Sequence, residues 1–212
     1  MNTGFEPWIL IAAAAVLVVA AVIILGVVFT KRLNSDRPSE SDIAGRRGEE
    51  LAMNAIVRVL REGDRLFTNV PVEYEGKVTE LDNVIVNENG VFIIEVKNYS
   101  GRLEGSVNDF EWKKFHRSKG GKTYMKIVKN PIRQVKRQIF LLSHYFKSQG
   151  LNVWISGYVL LLEDNAPVKS DMILSNADAI DRAIHRKTPK APDLRTTRLV
   201  SHLLSGREIP KE

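Results

Sequence analysis

The residue pattern predicts a single α/β domain built around a mixed sheet and preceded by one membrane-spanning helix. Three observations carry this prediction. The 22 residues from Trp8 to Phe29 contain no charged side chain. After them, segments of helical periodicity alternate with short apolar runs, the order expected of an α/β domain. One stretch, "ELDNVIVNENGVFIIEVKNYSG" from Glu80 to Gly101, reads as two strands joined by a tight turn.

The apolar segment is long enough to cross a bilayer as a helix, which takes about 20 residues. A cleavable signal peptide would have a shorter apolar core, positive charge before it and small residues at a cut site. Here Glu6 is the only charged side chain before the segment, and Lys31, Arg32 and Arg37 follow it. The positive-inside bias then places the remainder in the cytoplasm, giving a single-pass protein of a bacterial inner membrane or plasma membrane. The predicted organisation is an anchor over 1–30, a linker over 31–42 containing "NSDRPSESD", a globular domain over 43–187 and a tail over 188–212 with a short helix.

Within the domain, a helix opens with Ser41 or Asp42 as its N-cap and Ile43, Leu51, Ile56, Val57 and Leu60 on its apolar face. "LFTNVPV" (66–72) reads as a strand, the hairpin follows, and "GRLEGSV" reads as a further strand. Residues 131–146 carry Ile132, Val135, Ile139, Leu142 and Tyr145 at helical spacing. The continuous apolar run "VWISGYVLLL" (153–162) has the character of a central strand. A helix over "SNADAIDRAIHR", capped by Ser175, and a last short helix around 199–204 complete the order.

There is no cysteine, so disulfides and thiolate metal sites are excluded. Setting aside Glu6, one of the 25 acidic residues, leaves 24 against 31 Lys and Arg, a net charge of +7 beyond the anchor. That balance points to an anionic partner, either nucleic acid or the membrane surface. The four histidines are scattered without zinc-ligand spacing, and no P-loop, dinucleotide fingerprint or nucleophile elbow is present.

The hairpin poses a chemical problem, because its buried second strand ends in Glu95 and Lys97 and its partner carries Asp82. Strand alternation puts Glu95 and Lys97 on one face with Ile93, opposite Phe92, Ile94 and Val96. The turn "NENG" allows two registers. One pairs Val86 with Val91 and sets Asp82 opposite Glu95; the other pairs Glu88 with Val91 and sets Asp82 opposite Lys97. In both, all three ionisable groups share a face. Asp82, Glu95 and the Val96 carbonyl could supply oxygens to Mg²⁺ (or Mn²⁺), with Lys97 stabilising developing negative charge. A structural ion pair across the hairpin is the competing reading.

These residues resemble the nuclease-related domain (NERD) family of the PD-(D/E)xK restriction-endonuclease-like superfamily. "GRRGEE" on the first helix, Trp112, and "NPIRQ" at the start of the later helix agree with it, so that the resemblance spans roughly Gly45 to Leu162. It implies a central mixed sheet flanked by helices and metal-dependent hydrolysis of DNA phosphodiesters by a metal-activated water. By position, the resemblance makes Asp82 and Glu95 metal ligands and Lys97 the catalytic lysine. Glu49 (or Glu50) becomes an accessory acid, and Gln134 reaches toward the site from its helix. Leu81 stands where the superfamily's name has proline.

From Lys113 to Leu162 there are 11 Lys or Arg residues and no Asp or Glu. Lys113, Lys114, Arg117, Lys119, Lys122, Lys126, Lys129 and Arg133, interleaved with Trp112, Phe115 and Tyr124, suit phosphate contact with base stacking. DNA is the expected partner, with RNA as a further candidate and anionic lipid as the competing reading. A tethered binding module without catalysis is the alternative to a nuclease.

Overall fold

The computed structural model describes residues 40–118, 120–187 and 191–206. The predicted anchor lies outside the described residues, and no helix among those described is long and apolar enough to cross a membrane. The chain divides into two compact units at residue 43, and the elements from Ala44 onward form the second.

The elements run α1 (Glu40–Val57), β1 (Arg65–Tyr74), β2 (Lys77–Asn87), β3 (Gly90–Lys97), β4 (Arg102–Glu104), β5 (Glu111–Arg117), β6 (Thr123–Lys129), α2 (Pro131–Ser148), β7 (Ile155–Leu161), β8 (Ile173–Leu174), α3 (Ala177–His185) and α4 (Leu194–Leu204). The main sheet has the order β1-β2-β3-β7-β8. Its first pairings are antiparallel and its β3–β7 and β7–β8 pairings parallel, so the sheet is mixed, as expected.

Alternation along β2 and β3 feeds two separate apolar layers. Val84, Val86, Val91 and Ile93 point to α2 and α4, where Leu141, Leu142, Phe146 and Val200 receive them. Ile85, Phe92, Ile94 and Val96 point the other way, onto Ala52 and Ile56 of α1 and Ile180 and Ile184 of α3. Each fully buried Leu or Ile contributes about 1.5–3 kcal/mol, so either layer alone outweighs any single polar contact. Gly157 of β7 lets α2 lie close to the sheet; a methyl group there would stand 2.4 Å from Val135.

Three local expectations change. Ser41 and Asp42 lie inside α1 and do not cap it. The core face of α1 is formed by Gly48, Ala52 and Ile56, while Ile43, Leu51 and Val57 are exposed. The small side chains of Gly48 and Ala52 let the first half of this face approach the sheet closely, which larger residues there would prevent, and Ile56 fills the core farther along. Finally, α3 is capped by Asn176, whose side chain accepts from the Ala179 amide, and Ser175 stands one residue outside.

Residues 111–129 form a hairpin, β5–β6, which pairs with β4 as a second three-stranded sheet. Trp112 is its root. The indole is fully buried beneath Leu103, Ile132 and Val135, with Nε1 donating to the Ser106 carbonyl at 2.9 Å. Asn130 closes the hairpin onto α2, accepting from the Ile132 amide and donating to the carbonyls of Ser106, Val107 and Asp109.

Candidate active site

The hairpin adopts the register in which Val86 faces Val91. Its ladder ends at Asn83↔Ile94, one step short of Asp82 and Glu95. On the other side, the β1–β2 ladder skips Asn69 and Asp82, and Asn69 sits at φ +51°. Asp82 is therefore the point at which β2 loosens from both neighbours. Its Oδ2 accepts from the Val96 amide at 2.8 Å, so the side chain supplies a bond that the backbone ladder no longer makes.

Glu95 is buried at 1% exposure on the α2 side of the sheet. The Lys97 ammonium and the Gln134 Nε2 (2.6 Å) donate to its Oε1, and the Gln138 Nε2 donates to Oε2 at 2.6 Å. These charge-assisted bonds hold the carboxylate in one orientation. Gln138 is itself fully buried and also donates to the Glu80 carbonyl at 3.1 Å, leaving its own Oε1 without a partner among the described residues.

Electrostatics separates the two carboxylates by role. Burial, then the negative charge of Glu95, pushes the Asp82 carboxyl up to about 6, against the opposing effects of the Val96 amide and Lys97. Burial alone would depress the Lys97 ammonium. Glu95 outweighs it, with help from Tyr99 and Asp82, so Lys97 ends above its ordinary range. The site thus holds more negative charge than its lysine balances, a condition that a cation relieves.

Of the sequence-predicted residues, Asp82, Glu95, Lys97 and Gln134 meet in one place. Glu49 does not touch them. It is exposed on α1, and its charge is felt by Asp82 only at longer range. What brings it near is Gly48, where a Cβ would stand 2.8 Å from Asn98, just past the end of β3. Glu50 is exposed as well. Val96 binds Asp82 through its amide, and its side chain is buried on the opposite face with α1. Gln138 escaped the sequence reading, although its spacing of one turn from Gln134 on the same helix was a usable signal.

The donor set suits a hard divalent ion. Asp82 and Glu95 offer carboxylate oxygens on one face, next to the unpartnered amide oxygen of Gln138. Among the described residues no three His, Cys, Asp or Glu side chains are gathered closely enough to enclose a metal. Mg²⁺, which keeps several of its waters, needs only one or two carboxylates.

The predicted phosphate-binding residues divide by position. Lys113, Arg117 and Lys129 share one face of the β5–β6 hairpin, and Lys114 and Lys126 take the other. Lys114 Nζ lies 5.7 Å from the Tyr99 ring, and Lys122 Nζ 5.3 Å from that of Tyr124. Arg133 stands on the first turn of α2 with its guanidinium 3.9 Å from the Phe110 ring. Lys119 lies outside the described residues.

A family model described as "nuclease-related domain" (NERD) matches residues 44–162. The chain belongs to the NERD family, and the order Asp82, then Glu95-Val96-Lys97, is consistent with the PD-(D/E)xK superfamily. An uncharacterized protein of Bacillus anthracis is 33% identical over 69 residues, covering 32% of this chain and 32% of that protein. The chain thus spans about a third of the length of the curated relative it matches. No solved structure matches.

Proposed function

From that family membership we propose that the protein is a membrane-anchored, metal-dependent nuclease that hydrolyses DNA phosphodiester bonds. In this reading the apolar segment 8–29 tethers a cytoplasmic catalytic domain. One observation carries the catalytic part: Asp82, Glu95 and Lys97 converge on a single face where both ladders flanking Asp82 are interrupted.

Asp82 and Glu95 would hold Mg²⁺ or Mn²⁺. When bound, the ion supplies Lewis-acid chemistry, acidifying water and neutralising charge on the phosphate. The chain's own contribution is positioning and charge. Gln134 and Gln138 fix Glu95, Glu95 in turn fixes the Lys97 Nζ, and the ammonium, kept protonated by its neighbours, stabilises negative charge growing on the phosphoryl oxygens.

A second reading is supported by the same network, since both oxygens of Glu95 already accept hydrogen bonds from protein groups. In that reading the cluster is structural and the protein tethers nucleic acid without cutting it. Full-length protein in non-ionic detergent, supplied with plasmid and Mg²⁺ or Mn²⁺, separates the two. The nuclease reading expects cleavage that falls roughly a hundred- to a thousandfold in Asp82→Ala and in Lys97→Ala. Equal inertness of wild type and both variants across circular, linear and single-stranded DNA would sink it.

A further inference from the structure

Beside the candidate site lies a cleft of about 730 Å³ lined by Thr79, Phe110, Lys129, Arg133, Gln134 and Arg137. Gln134 belongs to both, since its amide binds Glu95 at 2.6 Å. Arg133 and Arg137 also border a second hollow of about 310 Å³, which Asn108 and Lys136 line as well. The two hollows therefore share Arg133 and Arg137 and together outline a path across the exposed side of α2.

The chemistry of this path is specific. Lys129, Arg133, Arg137 and Lys136 bring four positive charges to it, and Glu111, opposite Lys129 in the β5–β6 register, is the acid that also lines the larger cleft. Phe110 is 75% exposed, an unusual position for a phenyl ring, and its face is backed by the Arg133 guanidinium. Arg133 is held from behind by the Asn108 carbonyl at 3.4 Å. A pre-oriented aromatic ring among phosphate-binding cations is the arrangement that single-stranded nucleic acid uses, one base on the ring and phosphates on the charges. In an intact duplex the base faces are stacked on one another, and reaching the ring would require unstacking.

We propose that this cleft is the substrate track: a single strand passes between α2 and the root of the β5–β6 hairpin, stacks a base on Phe110, and lays its phosphates along Lys136, Arg137 and Arg133 toward the Gln134–Glu95 pair. The proposal rests on the nuclease reading and narrows its substrate to single-stranded DNA or RNA, or to a frayed end. It also ranks the basic residues. Those beside the cleft dominate, and Lys122 and Lys126, farther out on the hairpin, contribute little.

The test is binding of a fluorescent single-stranded oligonucleotide to full-length protein in detergent with EDTA, so that cleavage does not enter. Arg133→Gln with Arg137→Gln is expected to weaken binding about tenfold and to lower the slope of log K against log salt by about 1.4. The charge-matched pair Lys122→Gln with Lys126→Gln is expected to change it less than threefold. Phe110→Ala is expected to cost about tenfold and Phe110→Trp to restore it. Melting temperatures confirm folding, and should Arg133→Gln fail to fold, Lys136→Gln with Arg137→Gln carries the same comparison. Equal losses in the two pairs, an unaffected Phe110→Ala, or tighter binding of a blunt duplex than of the single strand each overturn the track. Matched DNA and RNA oligonucleotides show which strand is preferred. If binding behaves as expected but Mg²⁺ and Mn²⁺ elicit no cleavage, the catalytic reading fails and the track stands.

Discussion

Two ionic clusters sit along β2, one at its middle and one near its C-terminal end, and they are built on opposite principles. At the middle Asp82, Glu95 and Lys97 leave a carboxylate under-compensated, and Asp82 is raised to about 6. About five residues away along the strand, roughly 16 Å at 3.3 Å per residue, the turn after α1 is tied to the end of α3. There His185 is clamped between Asp181 (2.8 Å, on Nδ1) and Asp64 (2.9 Å, on Nε2). Arg61 adds a guanidinium 2.8 Å from Asp181 and donates its amide to Asp64 at 2.7 Å. His185 thus has a carboxylate on each ring nitrogen, and Arg61 serves both of those carboxylates as well. Asp181 is accordingly pulled down, first by its hydrogen bond with His185 and then by Arg61. One cluster stores electrostatic tension; the other relieves it. Comparable residue types thus mark a candidate reaction centre in one place and a rivet in the other, and the direction of the carboxylate shift tells them apart.

The sharpest way to break this contrast is Asp82→Asn. Activity is expected to fall roughly a hundred- to a thousandfold, yet the fold should gain stability. Because the folded Asp82 carboxyl titrates above its ordinary 3.8, the protonated form favours the fold, and that contribution is lost as pH rises through about 6. That rise to about 6, discounted for partial exposure, makes the ionised form cost about 1–2 kcal/mol at pH 7.5. Urea denaturation in EDTA should show Asp82→Asn more stable by that amount at pH 7.5, with the gap closing below pH 4. A destabilised Asp82→Asn would mean that the site is as well compensated as its counterpart.

The mirror experiment is His185→Ala. It leaves Asp64, whose side chain is 5% exposed, without its imidazole partner, and should cost about 3 kcal/mol of stability. Cleavage per folded molecule should be unchanged, because the cluster lies away from Asp82. A loss of turnover with normal melting would show that the two clusters communicate.

The smallest effect is the pH profile. Cleavage should decline as pH falls through about 6, reaching about tenfold below its plateau at pH 5, as Asp82 protonates. His185→Ala should leave that inflection in place.

How much of this was legible beforehand follows from burial. The hairpin, its register alternatives and the shared face of Asp82, Glu95 and Lys97 follow from strand alternation between two apolar layers, which punishes any slip of one residue. The α2 helix was legible for the same reason, having Asn130 before it and a regular apolar stripe. The β5–β6 hairpin was not. Apart from Trp112, its residues are half-buried or exposed, so they carry no inside–outside pattern to read. Glu49 shows the converse limit. A motif fixes its position in the chain, but its distance from the site depends on how closely Gly48 lets α1 approach Asn98, which no local pattern encodes. Arg137 and Phe110 gain their meaning only from the cleft that tertiary packing makes between them.

The last helix, α4, bears on how the molecule is made. Val200, Leu203 and Leu204 are buried with Val70, Val72 and Leu81, residues more than a hundred positions earlier in the chain. Three such side chains are worth about 5 kcal/mol, the order of a whole domain's net stability. The family match ends at residue 162, well before them. During synthesis the β1–β2 end of the sheet therefore stays only partly covered, by α2, until α4 has been made, and a nascent chain stalled at the family boundary would emerge with sticky, unsealed strands.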